Sequence, residues 1–245
     1  SMKWRFKKHA QNLNSLNNGI SLAVEKQMKS ERLKTELITN VSHDIKTPLT
    51  SIINYVDLLQ KEHTPEEEKE YIDVLSRQSG RLKKLIDDLI EASKASTGNI
   101  NTEMKPLMAS EVIYQSAAEY DERLKKTQLD LIISVPDEEK EVTADGRLLW
   151  RVMDNLLSNA CKYAQSGTRV YIDLKQNSKE TVISVKNISK NRLNIDASEL
   201  MERFVRGDSS RNTQGSGLGL SIAKSLIEIQ NGSFDISIDG DLFKA

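Results

Sequence analysis

The 245-residue sequence predicts an α+β protein in which a helical hairpin is followed by an α/β sandwich. The first observation is that apolar residues recur at a helical period from about residue 20 to residue 94. The second is a change beyond residue 97, where short strand-like segments alternate with helical ones. With 38% hydrophobic residues, the chain has enough apolar side chains for one or two cores.

Composition excludes several classes of protein. A formal net charge of -1 is not basic enough to suggest binding to nucleic acid. The one cysteine, Cys161, has no partner for a disulfide, and a small buried apolar residue is the expected role. The sequence contains no run of 18 apolar residues, so none of its segments is predicted to cross a bilayer.

The start of the chain has the composition expected next to a membrane. Basic and aromatic residues alternate there, namely Lys3, Trp4, Arg5, Phe6, Lys7 and Lys8. Cations are retained on the cytoplasmic side of a membrane helix, and aromatic rings favour the interface. We therefore expect the cytoplasmic domain of an inner or plasma membrane protein, linked to the membrane through a removed N-terminal region. An ordinary charged N-terminal tail is the alternative.

The hairpin consists of one predicted helix over residues 12–61 and a second that ends near residue 94. Thr64 and Pro65 provide an N-cap and a proline at the first helical position of the second helix. The second helix has apolar residues near the heptad period, at Ile72, Leu75, Leu82, Leu85, Ile86, Leu89 and Ile90. Because a hairpin alone leaves one flank of each helix uncovered, we predict a homodimer that forms a four-helix bundle. A long monomeric arm that folds back on the next domain is the alternative.

His43 is predicted to face solvent from the first helix of the hairpin. At about 100° per residue, it lies about 160° away from the apolar stripe. The stripe consists of Leu37, Val41, Ile45, Leu49, Ile52, Val56 and Leu59. Asp44 is adjacent, Thr47 follows one turn later, and Pro48 cannot donate to the carbonyl of Asp44, so the helix should loosen or kink there. An exposed imidazole beside a carboxylate can act as a nucleophile.

The chain divides into four predicted regions: a juxtamembrane signalling helix over residues 1–29, the hairpin over 30–96, a linker over 97–101, and the α/β domain over 102–245. In the α/β domain we predict strands over 102–107, 129–135, 141–144, 169–174, 181–186 and 233–238, and helices over 110–126, 146–164 and 218–230. Residues 187–216 lack clear periodicity, which is typical of a lid or binding loop.

The helix over residues 146–164 carries a polar strip beside its buried stripe. Asn155, Asn159 and Lys162 are spaced by four and three residues, so they share one face of the helix. Two amides and an ammonium on one strip suit a hydrated magnesium ion and a triphosphate. A solvated polar face is the alternative.

A glycine-rich segment, Gly215-Ser216-Gly217-Leu218-Gly219, opens the last helix. Glycines at a helix N-terminus allow backbone amides to approach a phosphate closely. Alone this pattern is weak evidence, because no strand leads directly into the glycines as it does in dinucleotide-binding folds.

Four segments together resemble the motifs of sensor histidine kinases. Residues 41–50 resemble the phosphoacceptor box, 154–163 the N box, 202–206 the F box and 215–219 the second glycine box. The resemblance extends from about residue 31 to the end of the sequence. It implies a dimerisation and phosphotransfer hairpin, followed by an ATP-binding domain of the histidine kinase, gyrase and Hsp90-like type.

The resemblance also implies roles for individual residues. Asn159 would ligate Mg²⁺ and Asn155 would orient the metal and its waters. Lys162 and Arg206 would contact phosphates, and Tyr163 would lie against the adenine. The residues Gly215, Gly217, Leu218 and Gly219 would cradle the phosphates of ATP.

Two departures from the family pattern stand out. The first glycine box of the family has an aspartate that reads adenine and is followed by glycines, whereas here Asn187 takes its place within Val185-Lys186-Asn187-Ile188-Ser189-Lys190. The amide carbonyl of Asn187 can still accept from the adenine amino group, but it carries no charge. The chain also ends at residue 245, where relatives continue into a last strand, so we expect a truncated or swapped sheet edge.

The resemblance implies ATP-dependent phosphorylation of His43, with Asp44 accepting the proton of the other ring nitrogen, followed by transfer to an aspartate of a response regulator. Thr47 matches the position that orients water for the reverse, phosphatase reaction in relatives. Related ATPases place a glutamate where Asn155 stands, and because an amide cannot accept that proton, slow hydrolysis of ATP is expected. The alternatives are a degenerate kinase that serves as a signalling scaffold, favoured by the altered first glycine box, and an ATP-driven clamp, disfavoured by Asn155.

Overall fold

The structure is a computed structural model that describes residues 42–97, 100–193, 200 and 217–245. It divides into two compact units, one ending at Leu82 and the other running from Lys83 to Ala245. We call them the hairpin unit and the α/β unit. The predicted signalling helix and the first part of the predicted hairpin, residues 30–41, lie outside the described residues. In the part of the chain that is described, no helix is both long and apolar enough to span a membrane.

The hairpin is formed by two helices, α1 from Ser42 to Leu59 and α2 from Pro65 to Thr97, as the sequence predicted. A reciprocal capping box starts α2: the Thr64 amide donates to Glu67 Oε2 over 2.8 Å, and the Glu67 amide donates to Thr64 Oγ1 over 3.3 Å. Because both bonds satisfy amides that a helix N-terminus leaves unpaired, the start of α2 is fixed by local sequence.

Helix α1 continues through Pro48. The predicted loosening after this residue does not end the helix, which retains α-helical structure to Leu59. The proline ring is fully buried, so its packing offsets the hydrogen bond that the ring removes from the helix.

In its described residues, the α/β unit has two sheets and, in addition to the end of α2, three helices whose bounds are given below. Its strands are β1 Lys105–Leu107, β2 Asp130–Ser134, β3 Val142–Ala144, β4 Arg169–Gln176, β5 Thr181–Ile188, β6 Ser237–Asp239 and β7 Leu242–Lys244. Its helices are α3 Ala109–Lys126, α4 Gly146–Tyr163 and α5 Gly219–Ile229. β1 and β3 form a two-stranded sheet, and the other strands form a mixed sheet in the order β2, β4, β5, β7, β6. The predicted α/β sandwich is therefore present.

The end of the chain differs from the prediction. The single strand expected over residues 233–238 is instead a short hairpin of β6 and β7, and β7 lies between β5 and β6. The backbone of Ala245 exchanges two hydrogen bonds with that of Val185, of 2.9 and 3.0 Å. Residues 242–245 thus pair with residues 185–188 of β5, whereas residues 181–184 have no strand partner on this side among the described residues, so a truncated or swapped sheet edge stays a prediction.

The core of the α/β unit lies between the mixed sheet and helices α3, α4 and α5. Helix α4 is capped by the buried Asp145, whose carboxylate accepts from the amides of Arg147 and Leu148. Its buried apolar stripe is Leu149, Val152, Met153, Leu156, Leu157 and Ala160. Packing of this stripe against β4 and α5 fixes the rotation of α4, and therefore the direction of its polar strip.

Candidate functional site

The first group of predicted site residues lies on α1. The side chain of His43 is 82% exposed, as its position opposite the apolar stripe predicted. The carboxylate of Asp44 is 18% exposed, and its Oδ1 lies 3.7 Å from His43 Nδ1. This distance is longer than a hydrogen bond, but the carboxylate is beside Nδ1 of the ring. The other ring nitrogen, Nε2, is therefore the candidate nucleophile.

Thr47 lies on the same face of α1, one turn after His43. Its hydroxyl donates to the carbonyl of His43 over 3.3 Å and is exposed. Such a bond is weak and can be exchanged for one to water. Thr47 therefore has an exposed hydroxyl one helical turn from His43 that is available to orient a water molecule.

The second group lies on α4, in the α/β unit. Asn159 and Lys162 are partly buried, and Tyr163 is the last residue of the helix. Asn155 is 5% exposed, and its Nδ2 has no hydrogen-bond partner within the described residues. An unsatisfied buried amide is costly, so a polar ligand atom that accepts from this group would be stabilised there. The predicted strip is thus assembled, with its deepest member prepared to bind a polar group.

The glycine-rich segment meets this strip at Asn155. Gly219 begins α5, and a Cβ atom at that position would lie 3.3 Å from Asn155 Oδ1. Gly217 has a φ of 68°, in the left-handed region that favours glycine. Leu218, between them, is buried and fixes the turn. The two glycines therefore allow the N-terminus of α5 to approach the amide of Asn155 closely.

Asn187 also lies near the end of α4. Its side chain is buried, at 5% exposure. Two backbone contacts join this end of β5 to the end of α4: Ala164 pairs with Ser189 in a β-bridge, and the Lys190 amide donates to the Tyr163 carbonyl over 2.9 Å. The amide of Asn187 is therefore held at the same side of the domain as Tyr163.

The electrostatic surroundings of Lys162 are unusual for a lysine. Burial lowers its pKa, and so does the positive charge of Lys84; Arg123 acts in the same direction. Asp88 and Asp154 favour the charged form. A phosphate group would add negative charge at this position and stabilise the ammonium.

The sequence prediction missed a set of charged residues beside this strip. Arg151 of α4 forms ion pairs with Asp88 and Glu91 of α2 and with Asp154 of its own helix. Only the Arg151 and Asp154 pair, three residues apart, could have been expected from spacing. The contacts to α2 join residues 60 and 63 positions apart, for which the sequence contains no local signal.

Two predicted residues, Arg206 and Gly215, lie outside the described residues, as does the predicted F box over residues 202–206. Within the described ranges, no cluster of three or more His, Cys, Asp or Glu side chains could hold a metal ion. The donors that fit magnesium are instead the amide oxygens of α4, since this ion accepts one or two protein oxygens and retains its other ligands as water and phosphate.

Comparison with known proteins identifies both units. Residues 33–98 match the His Kinase A (phospho-acceptor) domain family. Residues 144–242 match the family of histidine kinase-, DNA gyrase B- and HSP90-like ATPases. The two matches contain the residues of both candidate sites, in the order that the sequence motifs predicted.

A relative supports this result over most of the chain. Histidine protein kinase SaeS of Staphylococcus aureus strain USA300 is 34% identical over 227 residues, which are 88% of this chain. The match spans 63% of the length of SaeS.

Solved structures share the fold. The Acinetobacter baumannii histidine kinase AdeS matches 82% of this chain and 94% of its own with a TM-score of 0.64 and 16% identity. The histidine kinase ThkA, crystallised in complex with the response regulator protein TrrA, matches 90% of this chain and 64% of its own with a TM-score of 0.68 and 23% identity.

Proposed function

Since the chain belongs to the sensor histidine kinase family, we propose that it transfers the γ-phosphoryl group of ATP to His43 and from there to an aspartate of a response regulator. The observation that carries the proposal is the position of His43. Its ring is exposed on α1, with a half-buried carboxylate facing one nitrogen.

In the first step, Nε2 of a neutral His43 attacks the γ-phosphorus. The bond between this phosphorus and the bridging oxygen breaks, and ADP leaves with the electron pair. As positive charge develops on the ring, the carboxylate of Asp44 stabilises it and accepts the proton of Nδ1, which leaves a neutral phosphorylated imidazole. Replacement of Asp44 by Asn is expected to slow phosphorylation while leaving ATP binding unchanged, and an unchanged rate would remove this role.

The residues of α4 fit a bound nucleotide with magnesium. We assign Asn159 to the metal, Lys162 and Arg206 to the phosphates, and Tyr163 and Asn187 to the adenine. The unpaired buried amide of Asn155 and the close approach of Gly219 support this assignment. Magnesium bound with ATP would neutralise part of the phosphate charge.

Asn155 also bears on the rate at which the domain hydrolyses ATP. Its amide cannot accept a proton from water, so no general base stands beside the nucleotide at this position. We therefore expect ATP to be held with little hydrolysis until His43 is presented to it.

The second step involves a partner. ThkA was crystallised with a response regulator, and this supports a receiver domain as the acceptor from phosphorylated His43. We further propose that Thr47 orients water for dephosphorylation of that regulator. Thr47→Ala should then leave phosphorylation of His43 intact and reduce dephosphorylation, and equal loss of both activities would indicate a structural threonine.

We propose that the protein acts as a homodimer through its hairpins. Large apolar side chains of the hairpin unit remain exposed, among them Leu49, Ile53, Val56 and Ile72. A second copy would cover these faces and form a four-helix bundle. The basic and aromatic start of the sequence supports attachment to a membrane through a region before it, with the described units in the cytoplasm.

The proposal is tested by incubation of the purified chain with γ-labelled ATP and magnesium. The account predicts label that is stable in base, labile in acid and absent from His43→Gln. His63→Gln is the matched control, since His63 lies in the loop after α1, and it should retain full labelling. Label that persists in His43→Gln would overturn the proposal.

A second candidate is a kinase-like scaffold that binds little or no ATP. It is favoured by Asn187, which lacks the charge of the aspartate, and by the absence of glycines from residues 186–190. Equilibrium binding of a non-hydrolysable ATP analogue with magnesium separates the two candidates, because only the kinase requires binding.

A further inference from the structure

The end of α2 is held against α4 by a cluster of ion pairs around one arginine. Within the α/β unit, Arg151 Nη2 lies 2.7 Å from Asp88 Oδ1, and Arg151 Nε lies 2.8 Å from Glu91 Oε2. The third donor, Nη1, lies 2.6 Å from Asp154 Oδ2. We call residues 83–95 the α2 arm.

This cluster is well shielded from water. The side chains of Asp88 and Arg151 are 7% and 20% exposed. Asp154 is held from its other side as well, since its carboxylate accepts a 2.5 Å hydrogen bond from the hydroxyl of Tyr120 on α3. Charged groups this close in a dry environment fix the relative position of the three helices that carry them.

The contact between the α2 arm and the rest of the α/β unit is thin and polar. Among the described residues of the arm, Ala92 is the one fully buried member of the apolar core. Buried ion pairs contribute little net stability, although loss of one partner is costly. The cluster is therefore better suited to positioning the arm than to stabilising the fold.

The arm places Lys84 beside the candidate phosphate site. Lys84 precedes Asp88 by one helical turn, and Lys162 follows Arg151 by three turns, so both lysines share the faces of their helices that carry the ion pairs. Burial lowers the pKa of Lys162, and the positive charge of Lys84 acts in the same direction. Lys84 is itself exposed, so its long side chain can reach a ligand in solvent contact with Lys162.

We propose that Lys84 is a second phosphate-binding cation, supplied to the nucleotide site by the α2 arm, and that Arg151 is the residue that positions it. The ligand is the polyphosphate chain of a nucleoside triphosphate. This inference rests on the proposed function, because it assumes that Lys162 faces the phosphates. The ammonium groups of Lys84 and Lys162 repel each other, but both are attracted to a polyphosphate bound between them. Docking of the α2 arm and binding of the nucleotide therefore stabilise each other.

The proposal is distinguishable from a simpler role for these cations. Lys162 lies in the last turn of α4, where the helix dipole favours positive charge, and the alternative is that Lys84 only adds to this charge. In that case removal of the charge of Lys84 lowers thermal stability and leaves nucleotide affinity unchanged.

The experiment measures the affinity of a non-hydrolysable ATP analogue with magnesium for the whole chain. Lys84→Met is expected to weaken binding roughly fivefold, as for one partly exposed charge contact, while Lys84→Arg restores it. Lys83→Met is the matched control, because Lys83 is the exposed neighbour and points about 100° away around α2. Its affinity should equal that of the unmodified chain.

A second set of variants tests the positioning role. The double variant Asp88→Asn, Glu91→Gln is designed to release the α2 arm. It should weaken binding of the ATP analogue as much as Lys84→Met does. Adding Lys84→Met to the double variant should then weaken binding no further. Hydrogen exchange of residues 83–95 reports directly whether the arm is released.

The outcomes separate the inference from the function on which it rests. Unchanged affinity in Lys84→Met, or tighter binding when the arm is released, overturns the inference while the kinase proposal stands. Absence of analogue binding to the unmodified chain overturns both.

Discussion

In the hairpin unit Ile53 and Ile72 are 52% and 50% exposed, whereas Ile113 and Ile172 of the α/β unit are fully buried. Isoleucine side chains are thus exposed in one unit and buried in the other. The described part of the α/β unit encloses its core between the mixed sheet and helices α3, α4 and α5, but two helices cannot cover all of their apolar faces.

The same contrast applies to polar groups. The α/β unit buries Asn155 and Asn187, and the Nδ2 of Asn155 has no hydrogen-bond partner within the described residues. In the hairpin unit the proposed phosphoacceptor, His43, is exposed. The α/β unit thus buries its candidate binding residues, whereas the hairpin unit exposes both its candidate nucleophile and large apolar side chains.

The largest expected effect is on the association of hairpins. The double variant Ile53→Glu and Ile72→Glu places two charges on the faces that a second copy would cover, and desolvation of these charges opposes the bundle. We expect a monomer by light scattering at concentrations where the unmodified chain is a dimer. Ile132→Glu, at a residue of the α/β unit that is 44% exposed, is the control and should remain dimeric. If the double variant remained a dimer, the exposed apolar faces of the hairpin unit would not be the faces through which two copies associate.

The next largest effect concerns the charge cluster of the α/β unit. Arg151→Ala leaves the carboxylates of Asp88, Glu91 and Asp154 without their shared cation, and a buried charge without its partner costs about 3 kcal/mol of unfolding free energy. Urea denaturation measures this loss. Lys125→Ala, which breaks an exposed pair with Asp121, is the control and should be nearly neutral. Equal effects of the two substitutions would show that burial of the cluster is unimportant.

A smaller effect is expected from pH on nucleotide binding. The phosphates favour the charged form of Lys162, whose pKa lies below the usual 10.5 because of burial and the charge of Lys84. Affinity for the ATP analogue should therefore fall as pH rises through this lowered pKa, before an ordinary lysine would lose its proton. Arg123, Asp88 and Asp154 are the other charged groups that act on Lys162. Titration calorimetry in a pH series should show this decline in affinity for the unmodified chain. In Lys84→Met the affinity should decline at a higher pH, because the positive charge that lowers the pKa of Lys162 is removed. An identical decline in Lys162→Met would contradict the assignment.

The smallest effect is local to the start of α2. Thr64→Ala removes one half of the capping box with Glu67 and should lower the melting temperature of the hairpin by about 2 to 4 °C. Circular dichroism melting measures the change, with the exposed Thr50→Ala as control. No change would show that tertiary packing, not the cap, sets the start of this helix.

Local features of the fold were predictable because their causes are local. The start of α2 follows from Thr64 and Pro65, the exposure of His43 follows from helical periodicity, and the face of α4 follows from the spacing of its apolar residues. The buried polar strip was predictable for the same reason, since its members lie on one helix.

Features that depend on distant residues were not predictable. The strand over residues 242–244 is too short to show alternation, and its partner is β5, more than fifty residues earlier. The pairing of Arg151 with Asp88 and Glu91 likewise depends on how α2 meets α4. Pro48 could be recognised as a helix breaker by type, but its burial, which retains it within α1, is a tertiary effect.

The central claim is that His43 is the residue that carries the phosphoryl group. Incubation of the purified chain with ATP and magnesium, followed by proteolysis at neutral pH and mass spectrometry, locates the modification directly. The account predicts an added phosphoryl group on the peptide that contains His43, with fragment ions that place it on the imidazole. A phosphoryl group on any other residue, or an unmodified His43 in a chain that binds the nucleotide, would contradict it.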